Sequence, residues 1–215
     1  MNANEKQVPA VVVKRLPRYY RYLGELLQQD ITRISSGALS QKMNVTASQI
    51  RQDFNYFGGF GQQGYGYNVP YLYNEIGDIL GLHDGDTTII VGAGNLGRAL
   101  ANHNSFEKRG FRLVGIFDND PEVIGTVVNG RTVQSIDDLE TFLENNRVDI
   151  GMLTVPKSAI DEMVKRLVDG GVKGLLNFSS TELKNTDEAA IENVHLSDTL
   201  MTLSYKIKAL RKSRK

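Results

Sequence analysis

Residues 89–100 read IIVGAGNLGRAL: an apolar run, three glycines spaced G-x-G-x-x-G, and the start of an amphipathic stretch. That order describes a strand, a tight turn and a helix. In a dinucleotide-binding turn each glycine has its own task. Gly92 makes the turn, Gly94 lets a pyrophosphate reach the backbone, Gly97 lets the helix pack on the strand, and the free amides at the helix start bind the anion. Asp118 closes FRLVGIFD, 21 residues beyond Gly97. A carboxylate at that distance takes both hydroxyls of an adenine ribose and disfavours a 2′-phosphate, so the spacing favours NAD over NADP. Glycines that serve packing alone are the competing reading.

Outward from the turn, strands and helices alternate. TTIIVG reads as a buried strand, 95–106 as a helix, FRLVGIF as a strand, and 136–145 as a helix. VDIGMLTV is then a strand, 158–168 a helix and VKGLLNF a strand. Alternation of this kind means a parallel sheet covered on both faces, a Rossmann-like doubly wound α/β domain expected over 81–196.

Hydride transfer would need a general acid/base and a cation for the substrate. The histidines are 83, 103 and 195. His83 falls in a loop before the sheet, His103 within the helix that carries the pyrophosphate, and His195 near the last strand with only Asp198 as a neighbouring acid. A second domain large enough to close over a substrate is also missing. An NAD-dependent oxidoreductase is therefore the rival reading, and a protein without catalytic residues the preferred one. Cysteine is absent, which excludes disulfides, thiolate metal sites and thiol chemistry.

The first 70 residues have a different character. They hold 8 Lys/Arg against 4 Asp/Glu, whereas residues 71–205 hold 11 against 21 and residues 206–215 hold 6 against none. A basic head and tail around an acidic middle suggest a polyanion partner for the head. An uneven scatter without functional meaning is the alternative. Apolar residues at 13, 16, 20, 23 and 27 mark one stripe of a helix, with Pro17 near its start. Ser36 is expected to cap a second helix to Met43, and Asn44-Val45-Thr46 makes a tight turn. Thr46 to Gln49 then has the capping-box spacing that begins a third helix. The outline is helix-turn-helix.

In that third helix, SQIRQDFNYF, Ile50, Phe54 and Phe57 face the core. Ser48, Gln49, Arg51 and Gln52 face outward near the N-terminal end, where a recognition helix meets base edges. Arg pairs bidentately with guanine and Gln with adenine. GGFGQQGYGYNV follows, glycine-rich and aromatic, and suits a β-hairpin wing along the sugar-phosphate backbone. A small helical domain with a solvated polar face is the plainer alternative. Pro70 opens a connector, helical through Leu80 and ending at Gly81. The expected domains are thus 1–80 for DNA and the connector, 81–196 for the nucleotide, and 197–215 for a terminal helix and basic tail.

QIRQDFNYFGGFGQQGYGY, VGAGNLGRAL, FDNDPEVIG, LTVP and LLNF together resemble the Rex family of redox-sensing transcriptional repressors, over about residues 9–210. The resemblance implies a homodimer on a palindromic operator, released by NADH and held in its DNA-bound form by NAD. It further implies a final helix exchanged between subunits against the partner's nucleotide site. Cofactor contacts are expected from Gly92, Ala93, Gly94, Asn95, Leu96, Gly97, Asp118 and Asn119. Thr154, Val155 and Pro156 would flank the nicotinamide, Asn177, Phe178 and Ser179 would line its ring, and His103 would contact the cofactor in a position that communicates redox state. The helix-turn-helix and the resemblance together give a DNA-binding set of Ser36, Thr46, Ser48, Gln49, Arg51, Gln52, Tyr56, Gly64, Tyr65, Gly66 and Tyr67. Two positions depart from the family's pattern: Gln63 stands where a basic residue precedes the wing's G-x-G-Y, and His103 where a Tyr is usual. A DNA-binding protein governed by CoA or another nucleotide is the nearest alternative.

From Ser197, expected as an N-cap, apolar residues repeat at 200, 203, 207 and 210 before RKSRK. A second subunit is the economical cover for that stripe, and folding back on its own sheet the alternative. No apolar run approaches the ~18 residues of a membrane helix, and the first residues do not read as a signal peptide, so a cytoplasmic protein is expected.

Overall fold

A computed structural model describes residues 8–58, 61–62 and 65–212. The chain divides into two compact units, 1–84 and 85–215.

In the first unit α1 (Ala10–Val13) and α2 (Leu16–Leu27) precede β1 (Arg33–Ile34), α3 (Ser36–Met43) and α4 (Ala47–Asn55). β2 (Gly61–Gln62), β3 (Gly66–Asn68) and α5 (Val69–Ile79) follow. Pro17 sits in the first turn of α2, where its missing N–H costs nothing. Asn44 ends α3 in the left-handed conformation and turns the chain into α4. The strands form an antiparallel sheet in the order β1-β3-β2, so the expected wing gains a third strand from the segment before α3. Leu16, Tyr19, Leu23, Leu39, Ile50, Phe54, Leu72 and Ile76 make one core, with Phe57 packed at its edge. Because Val69, Leu72 and Ile76 belong to it, α5 is a structural part of this unit rather than a bare connector. α3 is capped by Ser35, not Ser36: extended backbone puts the Ser35 Oγ 3.0 Å from the Ala38 N–H.

The second unit runs β4 (Thr87–Val91), α6 (Asn95–Ala101), β5 (Arg112–Asp118), β6 (Val127–Val128), β7 (Arg131–Ser135) and α7 (Leu139–Asn145). It continues with β8 (Ile150–Leu153), α8 (Ile160–Asp169), β9 (Gly174–Asn177), β10 (Ala190–Asn193) and α9 (Leu196–Lys212). The sheet order is β10-β9-β8-β4-β5-β7-β6, parallel except for the β6–β7 pair. Setting aside that short hairpin arm, this is the doubly wound order, with the chain reversing direction between β4 and β8. All five residues of β4 are buried, as a central strand covered on both faces requires. Ile90, Leu113, Ile116 and Val133 pack on the α6 face. Ile89, Phe117, Leu153, Met163 and Leu167 pack on the α7–α8 face.

Several boundaries move. The helix expected over 95–106 stops at Ala101: the Arg98 carbonyl accepts both the Asn102 N–H at 3.1 Å and its side-chain amide at 2.9 Å, and the His103 N–H turns to the Leu100 carbonyl at 3.0 Å. α7 and α8 each start after a 3-10 turn, Ile136–Asp138 and Lys157–Ala159. α9 begins at Leu196, so Ser197 lies inside it rather than capping it. All of its described side chains are exposed, including Leu200, Leu203 and Leu210. Among the described residues, no helix is long and apolar enough to cross a membrane.

Candidate DNA-reading surface and nucleotide site

Thr46 begins α4 as expected, its Oγ1 accepting the Gln49 N–H at 3.1 Å. The return half of the capping box does not form. The Gln49 Nε2 instead donates to Asp53 Oδ1 at 2.9 Å. Asp53 has no exposed surface and gathers further donors: Arg15 Nε and Nη2, each at 2.7 Å, and the Tyr19 hydroxyl at 2.8 Å. Burial alone would raise this carboxyl, but the hydrogen bonds from Arg15, Tyr19 and Gln49 outweigh it and hold Asp53 below the usual carboxylate range. Burial first, then Asp53, pushes the Tyr19 hydroxyl upward. The hub ties α4 to α2 and to the residue that precedes it. Its signal was available in the sequence, since Asp53 lies between Ile50 and Phe54 on the apolar face of the helix.

The expected DNA-binding set is therefore divided. Ser48, Arg51, Gln52 and Tyr65 are exposed, as is the capping Thr46. Arg51 Nη1 donates to Ser36 Oγ at 3.0 Å, which links the two helices of the motif on their outer side. Tyr56 is half-buried. Gln49 is turned inward by Asp53, so its amide is engaged within the protein and not held ready for adenine. Tyr67 is corrected from a DNA contact to a core residue: 7% exposed, its ring stands edge-on to Phe54 at 5.1 Å. β3 begins only at Gly66, so Tyr65 lies in the turn before it, whereas Tyr67 is inside the strand, paired with Ile34, and faces the core. Gly66 has φ +72, and a Cβ there would lie 2.7 Å from the Ile34 carbonyl oxygen, so strand pairing accounts for this glycine. Gly64, like Gln63, lies outside the described residues.

In the second unit, Gly92 leaves the carboxyl end of β4 and Thr154 that of β8, the two strands at which the sheet order reverses. Ligands of open α/β sheets bind at such a point. The Thr154 N–H donates to the Val91 carbonyl at 2.9 Å and its Oγ1 to the Gly92 carbonyl at 2.7 Å. Gly92 has φ +100, and a Cβ there would meet the Thr154 carbonyl at 2.7 Å. A Cβ on Gly97 would run into the Gly92 carbonyl oxygen. Both glycines are demanded by the protein itself. Gly94 is different: its φ is −68, and a Cβ would meet nothing within 4 Å. Neither backbone conformation nor packing needs a glycine at 94, so the space above it is free for something other than protein.

The amides of Gly94, Asn95, Leu96 and Gly97 donate to no group among the described residues, as expected at a helix start. Asp118 is half-buried; its Oδ2 accepts the Ala93 N–H at 2.5 Å and its Oδ1 the Asp120 N–H at 2.9 Å. This fixes the carboxylate beside the turn. Free amides and an aligned carboxylate are donor and acceptor sets that fit a pyrophosphate and a ribose diol. Asn119 and Pro156 are exposed nearby in sequence to Asp118 and Thr154, and Val155 packs partly on the core.

Three expected contacts have side chains that are not turned to a cofactor here: Asn177 and Ser179 lie at this edge of the sheet, Asn177 opposite Leu153, but are engaged within the protein, and His103 lies beyond α6. Asn177 is fully buried, with its Nδ2 donating to the Thr181 carbonyl at 2.7 Å and to Asn193 Oδ1 at 2.8 Å. Its Oδ1 accepts the Ser179 N–H, and Ser179 is itself buried. These two side chains shape the loop after β9 and leave only Phe178, half-buried, free to face a ring. The partner Asn193 lies on β10, a strand with no clear sequence pattern. His103 is exposed beyond the end of α6, its ring 4.8 Å from Phe106. α6 runs back against the strand direction, and the seven residues from Gly94 to its end at Ala101 span roughly 10 Å at ~1.5 Å per residue, with His103 beyond that end. Arg98 was not foreseen: its Nε donates to the Ala93 carbonyl at 2.8 Å. His83 pairs with Asp78 at 2.6 Å, and His195 with Glu182 at 2.7 Å rather than with Asp198. Among the described residues, no group of three or more His, Asp or Glu is placed to hold a metal.

Two family models match, a putative DNA-binding protein N-terminus over residues 7–55 and a CoA binding domain over residues 84–181. The redox-sensing transcriptional repressor Rex of Caldicellulosiruptor saccharolyticus is 54% identical over 203 residues, 94% of this chain and 93% of its own. That of Thermoanaerobacter pseudethanolicus is 54% identical, covering 95% of this chain and 92% of its own. Among solved structures, RSP, a Rex-family repressor, in complex with β-NAD+ and operator DNA superposes with a TM-score of 0.89 at 52% identity, over 96% of this chain and 95% of that one. RSP with β-NADH superposes with a TM-score of 0.88 at 50% identity, over 98% of this chain and 100% of that one.

Proposed function

The chain belongs to the Rex family of redox-sensing transcriptional repressors, and we propose that it is itself an operator-binding repressor whose input is the NADH/NAD ratio. The observation that carries this reading is Gly94, a glycine without a conformational or packing reason, at the switch point of a doubly wound sheet. The cofactor is held by the free amides of the turn and, through its adenine ribose, by Asp118. Thr154, Val155, Pro156 and Phe178 border the nicotinamide end. Oxidised and reduced nicotinamide differ by one positive charge and by ring planarity, which is the whole difference the site has to sense.

A nucleotide input other than NAD(H) is the second reading, favoured by the match of this unit to a CoA binding domain. Asp118 argues against it, since a carboxylate that takes two free ribose hydroxyls repels the 3′-phosphate of CoA. No reaction is proposed. His83 belongs to the first unit, His103 lies at the far end of α6, and His195 is engaged by an exposed glutamate. A cytoplasmic setting follows from the operator target.

For DNA, α4 is the reading helix, with Arg51 as its principal base contact and Ser48 and Gln52 beside it. Arg51→Ala is expected to lower operator affinity by ~1–3 kcal/mol while leaving NADH affinity intact. Both are measured on one preparation, by fluorescence anisotropy of labelled operator and by NADH fluorescence. Unchanged operator affinity removes Arg51 from the reading surface.

The homodimer is proposed on α9. Its apolar positions, from Leu196 to Leu210, stand at least 40% exposed over a helix of about 25 Å. Burial of such a stripe contributes roughly 25 cal/mol per Å² of apolar surface, so its exposure in a lone subunit is unfavourable. Deleting residues 197–215 is expected to give monomers or aggregates by light scattering. A well-behaved dimer after truncation would place the interface elsewhere.

A further inference from the structure

Ala93 lies fully buried in the middle of the glycine turn, and the polar atoms on both sides of its Cα are held. Its N–H goes to Asp118, and its carbonyl accepts from Arg98 Nε at 2.8 Å. A trans peptide is planar, so its C=O and the following N–H point in opposite directions. Drawing the Ala93 carbonyl toward Arg98 therefore aims the Gly94 N–H the other way. That amide has no acceptor among the described residues. The same guanidinium reaches Thr126 Oγ1 at 3.3 Å, and Thr126 donates to the Val123 carbonyl at 2.6 Å. The segment Val123–Thr126 follows Asp118 and Asp120 in the chain. One side chain on α6 thus braces the phosphate turn and the loop on the ribose side together.

We infer that Arg98 is a positioning residue for the cofactor's pyrophosphate: it withdraws the Ala93 carbonyl and so presents the Gly94 amide to the anion. The inference rests on the nucleotide reading above. Because the pyrophosphate is common to both redox forms, the effect is equal for NADH and NAD and is also felt by ADP-ribose, which has no nicotinamide. A role in nicotinamide sensing would instead act on one redox form.

The test compares the full-length protein with Arg98→Met, which keeps the aliphatic stem, and Arg98→Lys, which keeps a donor for one acceptor. Calorimetry with NADH, NAD and ADP-ribose gives the affinities, and thermal melting reports on the fold. Arg98→Met is expected to weaken all three ligands by a similar factor, about tenfold for a hydrogen bond from a charged group, with the NADH/NAD affinity ratio unchanged. Arg98→Lys is expected to fall between that variant and the parent. Parental ADP-ribose affinity in Arg98→Met overturns the inference, even if the melting temperature drops, and so does weakening confined to one redox form. Should Arg98→Met not fold, Arg98→Lys decides: an ADP-ribose affinity equal to the parent's overturns the inference, and a reduced one supports it. Failure of the parent to bind ADP-ribose overturns the nucleotide reading itself.

Discussion

Gly94→Val stays on operator DNA at NADH concentrations that release the parent protein. The side chain is tolerated by the protein, since φ at 94 is −68 and a Cβ has open space around it. At the N-cap it costs about 1 kcal/mol at most relative to glycine. The ligand has no such freedom, because the isopropyl group occupies the approach to the turn's amides. A ligand moves a two-state equilibrium only by its differential affinity for the two states. Moving the DNA-competent form from roughly 99% to 1% takes about 5.5 kcal/mol of differential affinity, about half from each site of a dimer. A variant that cannot hold the cofactor supplies none of it. Gly92 and Gly97 do not allow the same experiment, because a Cβ at either collides with backbone. The check is an operator shift assay with NADH titrated against fixed NAD. Release of Gly94→Val in step with the parent removes the turn from the switch.

Asp53→Ala is expected to cost the first unit about 3–5 kcal/mol, as removal of one partner from a buried ion pair does. It strands the Arg15 guanidinium and the buried Tyr19 hydroxyl, and it frees Gln49. A loss of this size is a large part of a small domain's stability. The expected observations are a lower melting transition for the first unit and lost operator binding, while NADH is still bound. The charge also sets a pH dependence. Because the folded-state carboxyl is held below its ordinary value, its contribution is complete above the unfolded value of about 4 and is lost as pH falls through the folded one. Acid should therefore unfold the parent's first unit below about pH 4 more steeply than the Asp53→Ala variant's. Equal melting and equal acid profiles would remove the hub from the account of how α4 is held.

These two residues also mark what a sequence can and cannot carry. The strand–turn–helix at 89–100 was legible because the glycine spacing is fixed by local sterics, and β4, β5, β8 and β9 because buried parallel strands are continuous apolar runs; β6 and β7 were missed, since two residues and RTVQS make no such run. The capping of α4 by Thr46 was legible for the same local reason. What escaped reading depends on partners distant in sequence. Gln49 looked free because Asp53, Arg15 and Tyr19 meet only in the folded unit. Asn177 looked like a ring contact because its partner Asn193 lies on β10, whose four residues have no apolar period of their own. Tyr67 was misjudged through composition: the glycine-rich context hid where β3 begins, which leaves Tyr65 in the turn and places Tyr67 in the strand, paired with Ile34 and facing the core. α6 was drawn too long, and His103 was joined to the cofactor by resemblance alone, although a helix that starts at the turn leads away from it.

The central claim is that the glycine turn is an input and the helix-turn-helix its output. It is tested most directly by following labelled operator DNA on the full-length protein while the NADH/NAD ratio is varied at constant total cofactor, with CoA and NADPH as controls. The account predicts that operator binding falls as the ratio rises, that NAD alone leaves the complex intact, and that CoA and NADPH have no effect at the same concentrations. Release by NAD or CoA, or a complex indifferent to NADH, would contradict it.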